Sequence, residues 1–277
     1  MAHSHLDHHR AGSGEPLVLI HGIGHTWRGW KPMLPLLEQS FDVLAVDLPG
    51  HGRSQPFPPG LESTIDALAD SVEQEMDAAG FGTAHIAGNS LGGWITLELA
   101  RRGRAATATA ISPAGLALPR EQALGLNILR AVRWIARSAP ATEEQLRNPV
   151  ARTLLAGPHL GKPWKADPAD LVEQGEMFAN APGFDATLPY LEGQQPRGLN
   201  EIECPVLLVW GTKDVVLFPR QGRRFERLIP DAELRYVKGL GHVPMSDDPE
   251  YLSEAIASFA ARRAATPRRE QPAAAPV

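Results

Sequence analysis

The sequence predicts an α/β fold: a mostly parallel central sheet with helices on both faces, interrupted by an inserted helical cap. Three observations carry this. Six short, nearly continuous apolar runs recur, at 17–20, 42–47, 83–87, 107–111, 205–209 and 233–237. Helical patterns separate most of them, and strands alternating with helices build a parallel sheet. Between about 115 and 197 the strand signals stop and proline-punctuated helical patterns take over.

Each apolar run is too short for a helix, and its lack of polar alternation suits a strand covered on both faces. After Ser63, read as an N-cap, Ile65, Leu68, Val72 and Met76 fall on one helical face, and Gly80 ends the helix. In the insertion, Leu124, Ile128, Val132 and Ile135 form an apolar stripe expected to pack partly on the main domain and partly over a pocket. Shorter helices are expected over 143–155, 168–179 and 184–191. A last helix over 248–263 carries Tyr251, Leu252, Ala255, Ile256 and Phe259 on its apolar side. The resulting organisation is a flexible tail over 1–12, a first core part over 13–115, the helical cap over 116–197, a second core part over 198–263 and a disordered Pro/Ala-rich tail over 264–277.

Composition narrows the function classes. The 277 residues suit one α/β domain with an insertion. A net charge of −5 gives no basic face for phosphates, so no nucleic-acid partner is expected. No apolar run is long enough to span a bilayer, and the first residues lack the apolar stretch of a signal peptide. Cys204 is the single cysteine, which excludes an internal disulfide and suits a cytoplasmic location. His3, His5, His8 and His9 crowd the N-terminus. They read as a solvated tail and not a metal site, because no cysteine or carboxylate cluster completes a ligand set.

The chemistry is carried by Gly88-Asn89-Ser90-Leu91-Gly92, which follows a strand signal and opens a buried helical pattern. A strand that turns sharply into a helix forces its central residue into strained backbone angles and lifts that side chain above the sheet. Side chains two residues to either side would clash, hence the glycines. Serine needs a base, and the base needs an orienting acid. His242, in Gly241-His242-Val243-Pro244, follows the last strand; Asp214, in Gly211-Thr212-Lys213-Asp214, follows the strand before it. All three stand at strand C-terminal ends, which share one edge of an open parallel sheet. The oxyanion donors are expected from the Leu91 N–H and from the loop His21-Gly22-Ile23-Gly24, at Ile23 or alternatively Gly24. Asp47, His21 and His51, in the loops after the first two strands, read as loop-bracing residues. Gly24, Asn89, Trp27, Trp134 and Val243 are candidates for the pocket, and Trp94, Phe178 and Phe184 for further apolar walls.

Together these motifs, with Asp47-Leu48-Pro49-Gly50-His51-Gly52-Arg53-Ser54, resemble the capped single-domain α/β-hydrolases, over about residues 17–259. That group includes bacterial esterases, cofactor-free haloperoxidases or perhydrolases, and C–C bond hydrolases of aromatic catabolism. The resemblance implies a Ser90–Asp214–His242 triad, an oxyanion hole from the Ile23 and Leu91 amides, a small-molecule substrate, and no cofactor or metal. Serine at the elbow departs from the epoxide hydrolases and haloalkane dehalogenases of the same fold, which use aspartate there. Asn89 is similar to the C–C hydrolase elbow, whereas Leu91 and Val243 depart from it. That subtype also needs a cation for its anionic dienoate substrate, for which Arg130, Arg133 and Arg137 are the candidates. A ligand-binding signalling protein on the same fold is the non-enzymatic alternative. The sequence assigns no oligomeric state.

Overall fold

The structure is a computed structural model describing residues 5–264. Its centre is a seven-stranded sheet: β1 (His8–Gly12), β2 (Glu15–Ile20), β3 (Phe41–Val46), β4 (Ala84–Asn89), β5 (Ala105–Ile111), β6 (Val206–Gly211) and β7 (Ala232–Val237). The strand order is β1-β3-β2-β4-β5-β6-β7. Only β1 runs antiparallel, at the β3 edge; every other neighbouring pair is parallel. All six expected strands are present, with ends displaced by at most two residues.

The helices are α1 (Leu34–Leu37), α2 (Ile65–Ala78), α3 (Leu91–Arg101), α4 (Pro119–Ser138), α5 (Glu143–Arg147), α6 (Pro149–Ala156), α7 (Pro168–Asn180), α8 (Pro182–Leu191), α9 (Gly222–Leu228) and α10 (Pro249–Ala264). The strand period of two divides the core. Val18 and Ile20 pack with α2 and α3 on one face. Leu17 and Leu19 pack with α1 and α10 on the other. Helices α4 to α8 lie between β5 and β6, so the insertion leaves and rejoins the core at neighbouring strands. Among the described residues no helix is long and apolar enough to cross a membrane.

Three expectations are corrected. First, the flexible tail over 1–12 is ordered from residue 5; residues 1–4 lie outside the described residues, as do 265–277 of the expected C-terminal tail. Leu6 is buried in the core, and β1 pairs His8 to Gly12 against Val46 to Asp42. The Asp7 carbonyl accepts from Asp47 N–H at 2.8 Å, and Asp7 N–H donates to Ser54 Oγ at 2.8 Å. An edge strand carrying His8, His9 and Arg10 hides its identity behind charge, as edge strands often do. Second, the cap of α2 is Thr64, which accepts from Ala67 N–H at 3.2 Å. Ser63 instead meets Thr187 of α8 at 2.7 Å.

Third, Leu124 drops out of the apolar stripe of α4, while Ile128 and Val132 pack partly against the core, as expected. The buried face of α4 is Glu121, Gly125, Leu129 and Arg133. Glu121 is gripped by Arg220 and by Arg224, the latter at 2.5 Å, and the Arg224 guanidinium leads in holding its carboxyl down to about 2. A Cβ at Gly125 would run into the Val216 carbonyl, so the α4 backbone sits directly on the segment after Asp214. Ion pairs and a close backbone approach thus fix the rotation of α4. Leu124 is left exposed, and Val132 and Ile135 are turned toward a cavity.

Candidate active site

β4 delivers Ser90 to the sheet edge, and α3 begins at the next residue. Ser90 has φ 58° and ψ −113°, a left-handed conformation that non-glycine residues rarely adopt. Its surroundings over-determine it. The Ser90 N–H donates to the Ile111 carbonyl at 2.9 Å, and its own carbonyl accepts from Trp94 N–H at 3.1 Å and Ala114 N–H at 3.0 Å. A Cβ at Gly88 would strike the Gly92 carbonyl and Thr96 Oγ1, and one at Gly92 would strike the Ile20 and His21 carbonyls. No other residue type fits this strand–turn–helix.

Asp214 lies just beyond β6. Its Oδ1 accepts from Val216 N–H at 2.9 Å and Leu217 N–H at 2.8 Å, which fixes the carboxylate plane. Its Oδ2 meets His242 Nδ1 at 2.8 Å, with both residues buried. With Nδ1–H given to the carboxylate, a neutral imidazole keeps a lone pair on Nε2, the form a general base requires. The His242 loop is held from two sides. Asn89 Nδ2 donates to the His242 carbonyl at 2.9 Å, and Val243 N–H donates to the His159 carbonyl at 2.9 Å. The buried Asp247 carboxylate accepts from Gly241 N–H at 2.7 Å, Gly161 N–H at 2.8 Å and Lys162 N–H at 2.6 Å. It therefore binds the insertion and the histidine loop to one anchor.

The loop after β2 completes the arrangement. A Cβ on Gly22 would lie 3.2 Å from Ser90 Cβ, which puts the Gly22-Ile23 peptide beside the candidate nucleophile. His21 braces this loop. Its Nε2 accepts from Leu48 N–H at 2.9 Å, so its Nδ1–H donates to the Gly22 carbonyl at 2.7 Å. Burial keeps it neutral, well below the usual histidine range. Asp47 holds the next turn through Trp27 N–H at 2.7 Å and Arg53 N–H at 3.2 Å, and burial pushes its carboxyl up to about 6. His51 is fully buried and its Nδ1 meets the Pro49 carbonyl at 3.1 Å. These three residues brace loops, as their positions in the sequence imply. Gly24, at φ 78°, passes so close to Phe178 and Phe184 that a Cβ would collide with the Phe178 ring.

At Val243, the residue after His242, a cavity of about 120 Å³ opens under the insertion; neither His242 nor Ser90 lines it. Val132, Ile135, Leu146, Leu155, Phe178 and Val243 give it apolar walls, and His25 and His159 face it. Those two imidazole rings are 5.9 Å apart, and each lies within 6 Å of the Phe178 ring (5.8 and 5.7 Å). Burial pushes His25 down to about 4 and His159 to about 3, so both are neutral near pH 7.

Some expected pocket residues are elsewhere. Trp134 is 69% exposed on the outer side of α4. Trp27 stacks on His9 at 5.1 Å and under Arg28 at 4.5 Å, away from the cavity. Trp94 packs in the core. Asn89 is a clip between loops and forms no cavity wall. Val243 and Phe178 line the cavity, and Phe184 packs against Phe178 with ring centroids 5.3 Å apart. Sequence reasoning missed His25, His159 and Asp247. His25 sits one residue past the His21–Gly24 loop, a visible signal; His159 and Asp247 carry none.

The Alpha/beta hydrolase family model matches residues 17–255. The epoxide hydrolase EphH of Mycobacterium tuberculosis is 34% identical over 204 residues, covering 69% of this chain and 92% of that protein. The pimeloyl-[acyl-carrier protein] methyl ester esterase of Neisseria meningitidis is 31% identical over 260 residues, covering 88% of this chain and 92% of the relative. Among solved structures, a thermophilic esterase from Thermogutta terrifontis superposes with a TM-score of 0.71 over 93% of each chain, at 24% identity, a likeness of fold alone. With its sheet order, strained elbow and strand-end loops, the chain belongs to the alpha/beta hydrolase family.

Proposed function

We propose that this hydrolase is a serine esterase acting on uncharged, apolar acyl substrates. Ser90 is the nucleophile, His242 the base and Asp214 its orienting acid. The observation that carries the reading is the 2.8 Å His242–Asp214 pair on a loop clipped by Asn89 to the strained Ser90 elbow. In this mechanism Ser90 Oγ attacks the substrate carbonyl while His242 Nε2 takes its proton. The Leu91 amide at the α3 N-terminus and the Ile23 amide stabilise the oxyanion. His242 then protonates the leaving alcohol. Water, deprotonated by the same imidazole, releases the acid from the acyl-enzyme.

The preference for uncharged substrates is supported by where the cationic groups are spent. Arg133 donates to the Ala181 carbonyl at 2.8 Å, to Asp185 at 2.9 Å and to the Phe178 carbonyl. Arg137 pairs with Asp185 and Arg130 with Glu192. None of the three lines the cavity. An anionic dienoate buried there would lack a counter-charge, which is costly. This disfavours the C–C hydrolase reading. The perhydrolase and signalling readings rest on no observation of their own. The esterase named among the relatives supports acyl chemistry. Serine at the elbow, where the resemblance gives epoxide hydrolases an aspartate, supports it over epoxide opening. The absence of a second cysteine supports a cytoplasmic setting.

The test is turnover of p-nitrophenyl esters from two to twelve carbons, one dienoate diketone and one aryl epoxide, by the wild type and by Ser90→Ala. Ester turnover that rises with chain length and falls roughly a million-fold in Ser90→Ala is expected. Dominant turnover of the diketone or epoxide overturns the ester reading. More than a tenth of wild-type activity in Ser90→Ala overturns the nucleophile assignment.

A further inference from the structure

The N-terminal segment crosses α2 at Glu75. This glutamate is 4% exposed. A carboxylate so deeply buried needs a partner, and the partners in contact are two histidines. His5 Nδ1 lies 2.7 Å from Glu75 Oε2, and His8 Nδ1 lies 3.0 Å from Oε1. The three ligand-type atoms all fall within 4.8 Å of one another. The Leu6 N–H donates to Oε2 at 3.2 Å, so the carboxylate is also oriented by the main chain between the two histidines. The imidazole rings stack with centroids 5.5 Å apart, which holds their Nδ1 edges on the same side.

We propose that His5, His8 and Glu75 form a site for a first-row divalent cation of the zinc type. Two imidazole nitrogens and one carboxylate oxygen make a borderline ligand set for Zn²⁺, with bonds of about 2.0 to 2.2 Å, and a fourth, tetrahedral position remains for water. To sit around such an ion the imidazole and carboxylate atoms, now at 2.7 and 3.0 Å, part by a few tenths of an ångström, and the two imidazole nitrogens, within 4.8 Å of each other, settle to the spacing of a tetrahedral pair. The carboxylate that the N-terminal histidines lack in the sequence is thus supplied by α2, 67 residues beyond His8.

The ion's role follows from what the segment touches. Leu6 enters the core beside α2, and Asp7 pairs with the backbone of Asp47, the residue that braces the loop before Trp27. A metal there pins the first strand to the second helix and stabilises the fold. None of the contacts of His5, His8 and Glu75 is with Ser90, Asp214 or His242, so the ion supplies no step of the hydrolysis.

The test uses the full chain, stripped with a chelator and dialysed, and titrated with Zn²⁺ by isothermal calorimetry. One equivalent is expected to bind the wild type. At a hundredfold excess over Kd the melting temperature is expected to rise by about 5 to 10 °C. Glu75→Gln, and His5→Ala with His8→Ala, should weaken binding by more than about tenfold, since even outer partners of a metal ligand are worth that much. His9→Ala, which leaves the three ligands intact, should bind as the wild type does. The double histidine variant alters partly exposed side chains and keeps the test decisive if Glu75→Gln fails to fold. No binding by the wild type, or equal binding by the double variant, overturns the site.

Discussion

The Asn89 side-chain amide donates to the main-chain carbonyl of His242 across 153 residues of sequence. The same nitrogen donates to the Ile111 carbonyl at 3.2 Å. One side chain therefore ties the strand end before Ser90, the end of β5 and the His242 loop into a single unit. Asn89→Ala takes this donor from the buried His242 carbonyl, at about 1 to 3 kcal/mol, whereas the Ile111 carbonyl keeps the Ser90 N–H at 2.9 Å. It should lower kcat about tenfold or more while KM changes less, and lower Tm by several degrees. Steady-state kinetics and calorimetry check both, and an unchanged kcat would remove Asn89 from positioning His242.

Asp214→Asn separates orientation from folding. The asparagine oxygen can still accept from Val216 and Leu217, as Oδ1 now does. Its amide, however, would face His242 Nδ1 with a donor and favour the wrong tautomer. A fall in kcat of about 10⁴ with an unchanged near-ultraviolet circular dichroism spectrum is expected. Retention of activity within tenfold would assign the base's orientation to some other group.

Gly24→Ala meets two obstacles, a backbone at φ 78° and the Phe178 ring. Phe178→Ala relieves only the second. The double variant should recover part of the loss of the Gly24 single variant, with a coupling of about 0.5 to 3 kcal/mol in a denaturation cycle. Strict additivity would show that the ring and the loop do not press on one another.

Val132→Phe should fill cavity beside Val243 and shift the best ester to shorter acyl chains. Each buried methylene is worth about 0.8 kcal/mol, or three- to fourfold in kcat/KM, up to the length the cavity holds. An unmoved chain-length profile in the variant would place the acyl group elsewhere.

Acid should unfold this protein from an unusually mild pH. His25 and His51 are held at about 4 and His159 at about 3, against 6.5 when unfolded, by burial first. Between those values the unfolded chain binds more protons, so stability falls as pH drops through 6.5 toward 4. One pKa unit is about 1.4 kcal/mol, so each histidine removes roughly 2 kcal/mol by pH 5. Asp47, raised from 3.8 to about 6, and Asp170, also raised by burial, have the opposite sign and gain stability on acidification, but they stand against four imidazoles, because burial holds His21 well below the usual histidine range too. Below about pH 4.5 the low Glu121 carboxyl adds a further loss as it becomes protonated. Calorimetry from pH 7 to 4 should show Tm falling throughout. A Tm that is flat down to pH 4.5 would mean these imidazoles reach water in the folded state.

The sequence by itself determined whatever local backbone physics enforces. Gly88 and Gly92 spell a turn that a side chain at either position would obstruct, and the apolar runs at 17–20 and 205–209 can be little else than strands sealed on both faces. Asp214 and His242 were legible because a parallel sheet brings the ends of its strands to one edge whatever loops follow. Tertiary structure decided the rest, because long-range contact leaves no local pattern. The stripe of Leu124 to Ile135 promises a partly buried face, but the most buried one belongs to Glu121, Gly125 and Arg133, through partners far along the chain: Arg220 and Arg224 for Glu121, the Val216 carbonyl for Gly125 and Asp185 for Arg133. His8, His9 and Arg10 read as a solvated tail until β3 offered an unpaired edge. His159 and Asp247 have no signature of their own: one is set beside the histidine loop by the insertion, the other by the three amides that converge on its carboxylate. Periodicity reports which residues prefer to be buried, and only the folded neighbours determine against what.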